Sequence, residues 1–70
     1  MKDRIYIVLF PFFVYDQRGN EIEMNKGDVL IVTDIMNLFR DTDQIIFFCR
    51  EKFLTSHYRL GWFRSLLDEI

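Results

Sequence analysis

Val29-Leu30-Ile31-Val32-Thr33-Asp34-Ile35-Met36 is the stretch on which the fold class turns. It is dominated by β-branched side chains, which lose rotamer freedom in a helix and pack well on a pleated sheet. The stretch predicts a strand. Just before it, Asn25-Lys26-Gly27-Asp28 reads as a turn, with a glycine free to take a positive φ. Before that turn, Glu21–Met24 alternates charged and apolar residues, the period of a half-exposed strand. Tyr15–Asn20 is a polar turn with Arg18-Gly19-Asn20 at its tip. Ile5–Val14 is rich in β-branched and aromatic residues and predicts a strand. Pro11 lacks an amide donor and belongs at a strand end, a bulge or an edge.

C-terminal to the central stretch, Asn37–Gln44 is polar apart from Leu38 and Phe39 and reads as a loop. Ile45–Cys49 is strongly apolar and predicts a strand. A helix over Asp41–Leu54 is disfavoured because its charges fall on no single face. Arg50-Glu51-Lys52 carries the chain out to solvent, Phe53–His57 reads as a turn and Tyr58–Phe63 as a short strand. Ser65–Ile70 is the natural place for a short helical turn, with Ser65 as its cap. Short strands separated by turn signals imply an all-β sandwich or barrel.

Seventy residues predict a single domain over 1–70. A chain of this size buries only about 60% of its unfolded surface. A composition of 50% hydrophobic and 17% aromatic residues can still fill a core. A net charge of -2 excludes the highly charged, weakly apolar signature of disorder. It also argues against a strong nucleic-acid footprint, for which a pI above about 9 is usual. The second half is charge-balanced, so the acidic excess lies between Asp3 and Asp34. Cys49 is the only cysteine; it suits a reducing cytoplasm and cannot build a metal cluster with the single His57. No apolar run reaches the ~18 residues of a membrane span, and the N-terminus lacks a signal-peptide pattern. The expected protein is cytoplasmic and free-standing, an accessory or regulatory protein without a cofactor.

Three stretches resemble one family. Val8-Leu9-Phe10-Pro11-Phe12 is similar to the Ala-Leu-Tyr-Asp-Tyr strand that opens SH3 domains. Glu21-Ile22-Glu23-Met24-Asn25-Lys26-Gly27-Asp28 resembles the Glu-Leu-Ser-Phe-Lys-Lys-Gly-Asp diverging turn. Gly61-Trp62-Phe63-Arg64-Ser65 looks like Gly-Tyr-Ile-Pro-Ser, which leads into the family's helical turn. The resemblance implies a five-stranded SH3-like barrel with a short helical turn near the C-terminus. It makes Tyr15–Asn20 part of the RT loop, Asn37–Asp43 a long n-Src loop and Phe53–His57 the distal hairpin. It points Val8, Leu30, Val32, Cys49 and Phe63 into the barrel. A direct count sets Asp68 at a core position. A helical turn one residue shorter sets Leu67 there, which avoids an unpaired buried carboxylate.

The implied function is protein–protein interaction through a non-standard surface. Phe10 and Phe12 stand where the family has groove tyrosines, Ile46 replaces its ligand-gripping tryptophan and Arg64 its groove proline. The usual stacked slot for proline-rich peptides cannot be rebuilt from these residues. Asp16, Glu21 and Glu23 fall where relatives place carboxylates to receive a partner's arginine or lysine. Strand alternation around an inward Phe63 turns Trp62 outward beside Arg64, and both types are enriched among binding hot spots. Self-association is a further expectation. The alternative is a nucleic-acid-binding barrel that gathers Arg50, Lys52, Arg59 and Arg64 near Phe53, Tyr58 and Trp62, or an acidic face that blocks a basic partner. Catalysis finds little support: Ser56 and His57 are adjacent, which is not the geometry of a nucleophile and its base. Asp41 and Asp43 fall short of the six to eight oxygens that Ca²⁺ takes.

Overall fold

The computed structural model describes residues 1–40 and 42–70. Among them the chain is mostly β, with seven strands and one short helix: β1 (Ile5–Val8), β2 (Phe12–Asp16), β3 (Glu21–Met24), β4 (Val29–Phe39), β5 (Thr42–Cys49), β6 (Lys52–Ser56), α1 (Leu60–Ser65) and β7 (Leu67–Glu69). The strands form one antiparallel sheet in the order β3-β2-β6-β5-β4-β1-β7. The sheet has to curl. β1 and β2 are four strand positions apart, ~19 Å on a flat sheet, whereas the link from Val8 to Phe12 reaches at most ~14 Å. Curling makes a half-barrel whose inner face holds the core.

That core follows strand alternation. Tyr6 and Val8, Phe12 and Val14, Leu30 and Val32, then Ile45, Phe47 and Cys49 all turn inward, and Met24, Leu54, Phe63 and Leu67 complete the cluster. The rings of Phe12 and Phe47 pack on Phe63 at centroid separations of 5.5 and 5.6 Å. Gly27 is at φ +94°, in the left-handed region. This lets the Asn25–Asp28 turn close on β1: Val8 donates to the Asp28 carbonyl at 2.8 Å and Gly27 to the Val8 carbonyl at 2.9 Å.

The structure corrects the sequence reading in five places. Five strands were expected and seven form, because the predicted Ile5–Val14 strand breaks at Leu9–Pro11 and a strand appears at the C-terminus. Pro11 immediately precedes β2, where its missing donor leaves no ladder bond unmade. Where a loop was expected over Asn37–Gln44, β4 runs on to Phe39 and β5 begins at Thr42, with Met36 opposite Gln44 and Asn37 opposite Asp43. The register shifts between Asn37 and Phe39. The turn expected at Phe53–His57 lies at Arg50–Glu51, both left-handed at φ 52° and 63°, so Lys52–Ser56 is strand.

The C-terminal helix and strand also exchange places. Tyr58–Phe63 was expected as strand and Ser65–Ile70 as helix; α1 covers Leu60–Ser65 and β7 covers Leu67–Glu69. Ser65 ends the helix instead of starting one, its hydroxyl donating to the Trp62 carbonyl at 2.6 Å. Leu67 is buried and pairs with Val8, while Asp68 faces out opposite Ile7.

Candidate functional site

Alternation along β2 buries Phe12 and Val14 and turns Phe13 and Tyr15 outward, opposite Glu23 and Glu21 of β3. Across from them, β6 ends at the fully buried Ser56, whose hydroxyl accepts the Tyr58 amide at 3.2 Å. That contact bends the chain so that His57 faces solvent and lies against the Tyr15 ring, with centroids 5.8 Å apart. Tyr58 is half-buried, edge-on to Phe12 at 6.3 Å and to Trp62 at 4.3 Å. Phe13, Tyr15, Glu21, His57 and Tyr58 therefore enclose a cleft of about 290 Å³. A shallower depression of about 440 Å³ extends it along Tyr15, Gln17, Gly19, Gln44 and Thr55.

Trp62 is set beside this cleft by α1, and α1 is set by β5. The Leu60 amide donates to Asp43 Oδ2 at 2.7 Å, while Asn37 Nδ2 donates to Asp43 Oδ1 at 2.8 Å. Arg59 precedes the helix and supplies no side-chain cap. A carboxylate from a distant strand thus satisfies a free amide of the first turn. The Asn37 hydrogen bond, then that of Leu60, hold the Asp43 carboxyl below its ordinary value, because both favour the charged form.

The residues singled out from the sequence disperse. Phe12 is a correction: it is 3% exposed and belongs to the core, because Phe13 takes the outward position of that strand. Phe10 is 58% exposed on the β1–β2 link, where its amide reaches the Leu66 carbonyl at 3.4 Å. Asp16 is tied up locally, accepting the Arg18 and Asn20 amides at 2.9 and 2.8 Å and the Asn20 side chain at 3.2 Å. The Asn20 amide above all keeps its carboxyl below the usual value. Glu21 lines the cleft; Glu23 is exposed on β3, and its carbonyl accepts from Arg50. Ile46 is half-buried on β5, where its carbonyl accepts the Thr33 hydroxyl at 3.1 Å. Trp62 is 53% exposed, as expected, but it stands on a helix and not on an alternating strand. Arg64 is exposed in the last turn of that helix.

Phe13, Tyr15 and Tyr58 were not singled out as a wall of the site. The alternation Phe12-Phe13-Val14-Tyr15 carried the signal, but only the β2–β6 pairing shows which aromatic faces His57. The four cations of the nucleic-acid reading do not gather. Arg50 lies in the β5–β6 turn, paired to Asp28, and Lys52 opens β6, while Arg59 and Arg64 lie beyond the other end of β6. Among the described residues no group of three or more His, Cys, Asp or Glu side chains is placed to hold a metal ion. Asp41 lies outside the described residues. No helix among them is long and apolar enough to cross a membrane. No protein-family model, curated protein or solved structure matches the chain.

Proposed function

We propose that the chain is a protein-interaction module of SH3-like design, and that its cleft receives an arginine or lysine side chain of a protein partner. The observation that carries this reading is the cleft itself: three aromatic rings and His57 form its walls and Glu21 stands at its rim. A long cationic side chain can lay its apolar stem on such rings, gain a cation–π contact and meet a carboxylate at its tip. The strand order supports the SH3-like part. The β2–β3 hairpin corresponds to the RT loop, the Arg50–Glu51 turn to the distal hairpin and α1 to the helical turn, with β7 then pairing against β1.

Proline-rich peptides fit this surface poorly. A proline needs a slot between two rings, but Tyr58 and Trp62 already touch edge to face at 4.3 Å and Tyr15 and His57 at 5.8 Å. Binding, not catalysis, suits these groups, since the Ser56 hydroxyl is buried and engaged by the Tyr58 amide while His57 faces away. A cytoplasmic setting agrees with the buried free thiol of Cys49.

The test is a titration of extended peptides containing arginine or lysine, followed by amide chemical shifts. Shifts centred on Phe13, Tyr15, Glu21, His57 and Trp62 are expected. Glu21→Lys should abolish binding and Trp62→Ala weaken it by at least ~2 kcal/mol, the hot-spot threshold. Proline-rich peptides lacking basic residues should bind no better than about millimolar, ~4 kcal/mol of binding free energy. Shifts centred elsewhere, or indifference to Glu21→Lys, would overturn the proposal.

A further inference from the structure

His57 is the chain's one histidine, and among side chains of ordinary pKa only histidine changes charge between about pH 5 and pH 8. The fold sets it where that change matters. It is exposed just after β6 and lines both the cleft and the depression that extends it. Its ring lies 5.8 Å from that of Tyr15, tilted by 36°. Tyr15 in turn stands opposite Glu21. The neighbouring pair, Asp16 and Asn20, carries a ladder hydrogen bond at 2.9 Å. Tyr15 and Glu21 are therefore a non-hydrogen-bonded pair, whose side chains approach more closely. Imidazole, phenol ring and carboxylate share one wall.

The other groups that face His57 leave it the only switchable charge there. From β2, Asp16 lines the extension, its carboxylate engaged by the Arg18 and Asn20 amides. Gln44 of β5 and Thr55 of β6 are uncharged, and Tyr58 adds a phenol. Arg59, two residues on, lies close enough to Asp43 to feel its charge. Arg18 and Lys52 line a separate depression with Phe53. Among the described residues no lysine or arginine lines the cleft or its extension.

We infer that protonated His57 becomes the cleft's own cation and turns the partner's away, so that binding is released by acid. This rests on the reading of the cleft as a receptor for an arginine or lysine side chain. While neutral, the imidazole is one wall of the cleft. Once protonated, it already lies within the ~6 Å over which an aromatic ring attracts a cation, and so occupies the Tyr15 ring that an incoming cation would use. It also competes for the Glu21 carboxylate and repels the incoming charge. Proton and cationic guest are antagonists, and each weakens the other's binding by the same factor. Binding near neutral pH must therefore release protons.

The probe is a blocked glycine–serine peptide with one arginine, which keeps its charge at every pH used. Amide shifts of Tyr15 and Glu21 report its binding to the whole chain. Between about pH 7.5 and about pH 5.5, a range that spans histidine titration, the affinity should fall about fivefold, the upper scale of an interaction between exposed charges. His57→Gln, polar and uncharged, should bind nearly equally at both. His57→Arg, permanently charged, should bind at both as weakly as the wild type does in acid. Calorimetry in two buffers of different ionisation enthalpy should show proton release on binding by the wild type and none by His57→Gln. Binding that ignores acid in the wild type, or that is equally acid-sensitive in His57→Gln, would overturn the inference while leaving the cleft as a receptor for cations. Absence of shifts at Tyr15 and Glu21 at either pH would overturn both.

Discussion

Trp62 and Phe63 are neighbours with opposite fates, and the contrast is testable. Phe63 is fully buried against Phe12 and Phe47, so Phe63→Ala should cost roughly 3–5 kcal/mol by urea unfolding. Trp62→Ala should keep the native circular dichroism, because more than half of that side chain already meets solvent. The reverse outcome would mean that α1 is rotated from its described orientation. Asp16 carries a second residue-scale prediction. Hydrogen bonds led by the Asn20 amide depress its folded-state pKa. Its stabilising contribution is therefore complete above the unfolded value of about 3.9 and is lost as pH falls through the lower folded value. The urea midpoint should drop on acidification below that point. Asp16→Asn, which cannot ionise, should flatten the drop; an unchanged pH profile would show that the turn gains nothing from the charge.

At the scale of elements, α1 is six residues long and contains Gly61, with nothing within 4 Å of where a Cβ would stand. Gly61→Ala should therefore raise stability by about 0.5–1 kcal/mol, read as a higher thermal midpoint; a lower midpoint would show that an unseen constraint requires the glycine. This helix also shows why parts of the fold were hidden in the sequence. The inward positions of Val8, Leu30, Val32, Cys49 and Phe63, which the resemblance implied, are all buried; the four on strands also obey alternation, a local property of the chain. The start of α1 was not legible, because its cap comes from Asp43 on another strand and Arg59 gives no local signal. The β5–β6 turn was missed for a related reason: two left-handed residues are normally announced by glycine or asparagine, and here they are Arg50 and Glu51. The candidate site was less legible than the core. Glu21 and Trp62 could be read from the sequence, but the wall formed by Phe13, Tyr15 and Tyr58 exists only once β2 lies beside β6.

For the whole molecule, Cys49 is a built-in reporter. Burial above all, with Asp28 nearby, pushes its thiol pKa up, and the side chain is almost fully enclosed. A thiol reagent should modify it only when the core opens. Its labelling rate should match hydrogen exchange at the Phe47 and Leu54 amides; faster labelling would reveal a local opening of the β5–β6 hairpin. The pairing of β1 with β7 has a consequence in time. Tyr6 and Glu69 are 63 positions apart, yet they lie side by side in the finished sheet. Contacts so distant along the chain are made only after a large loss of chain entropy, which puts refolding in milliseconds to seconds instead of microseconds. Until β7 docks, one edge of β1 is an open template for strands of other molecules. In stopped-flow and dilution experiments, the yield of native protein should therefore fall with concentration during refolding, well before the folded protein itself becomes insoluble.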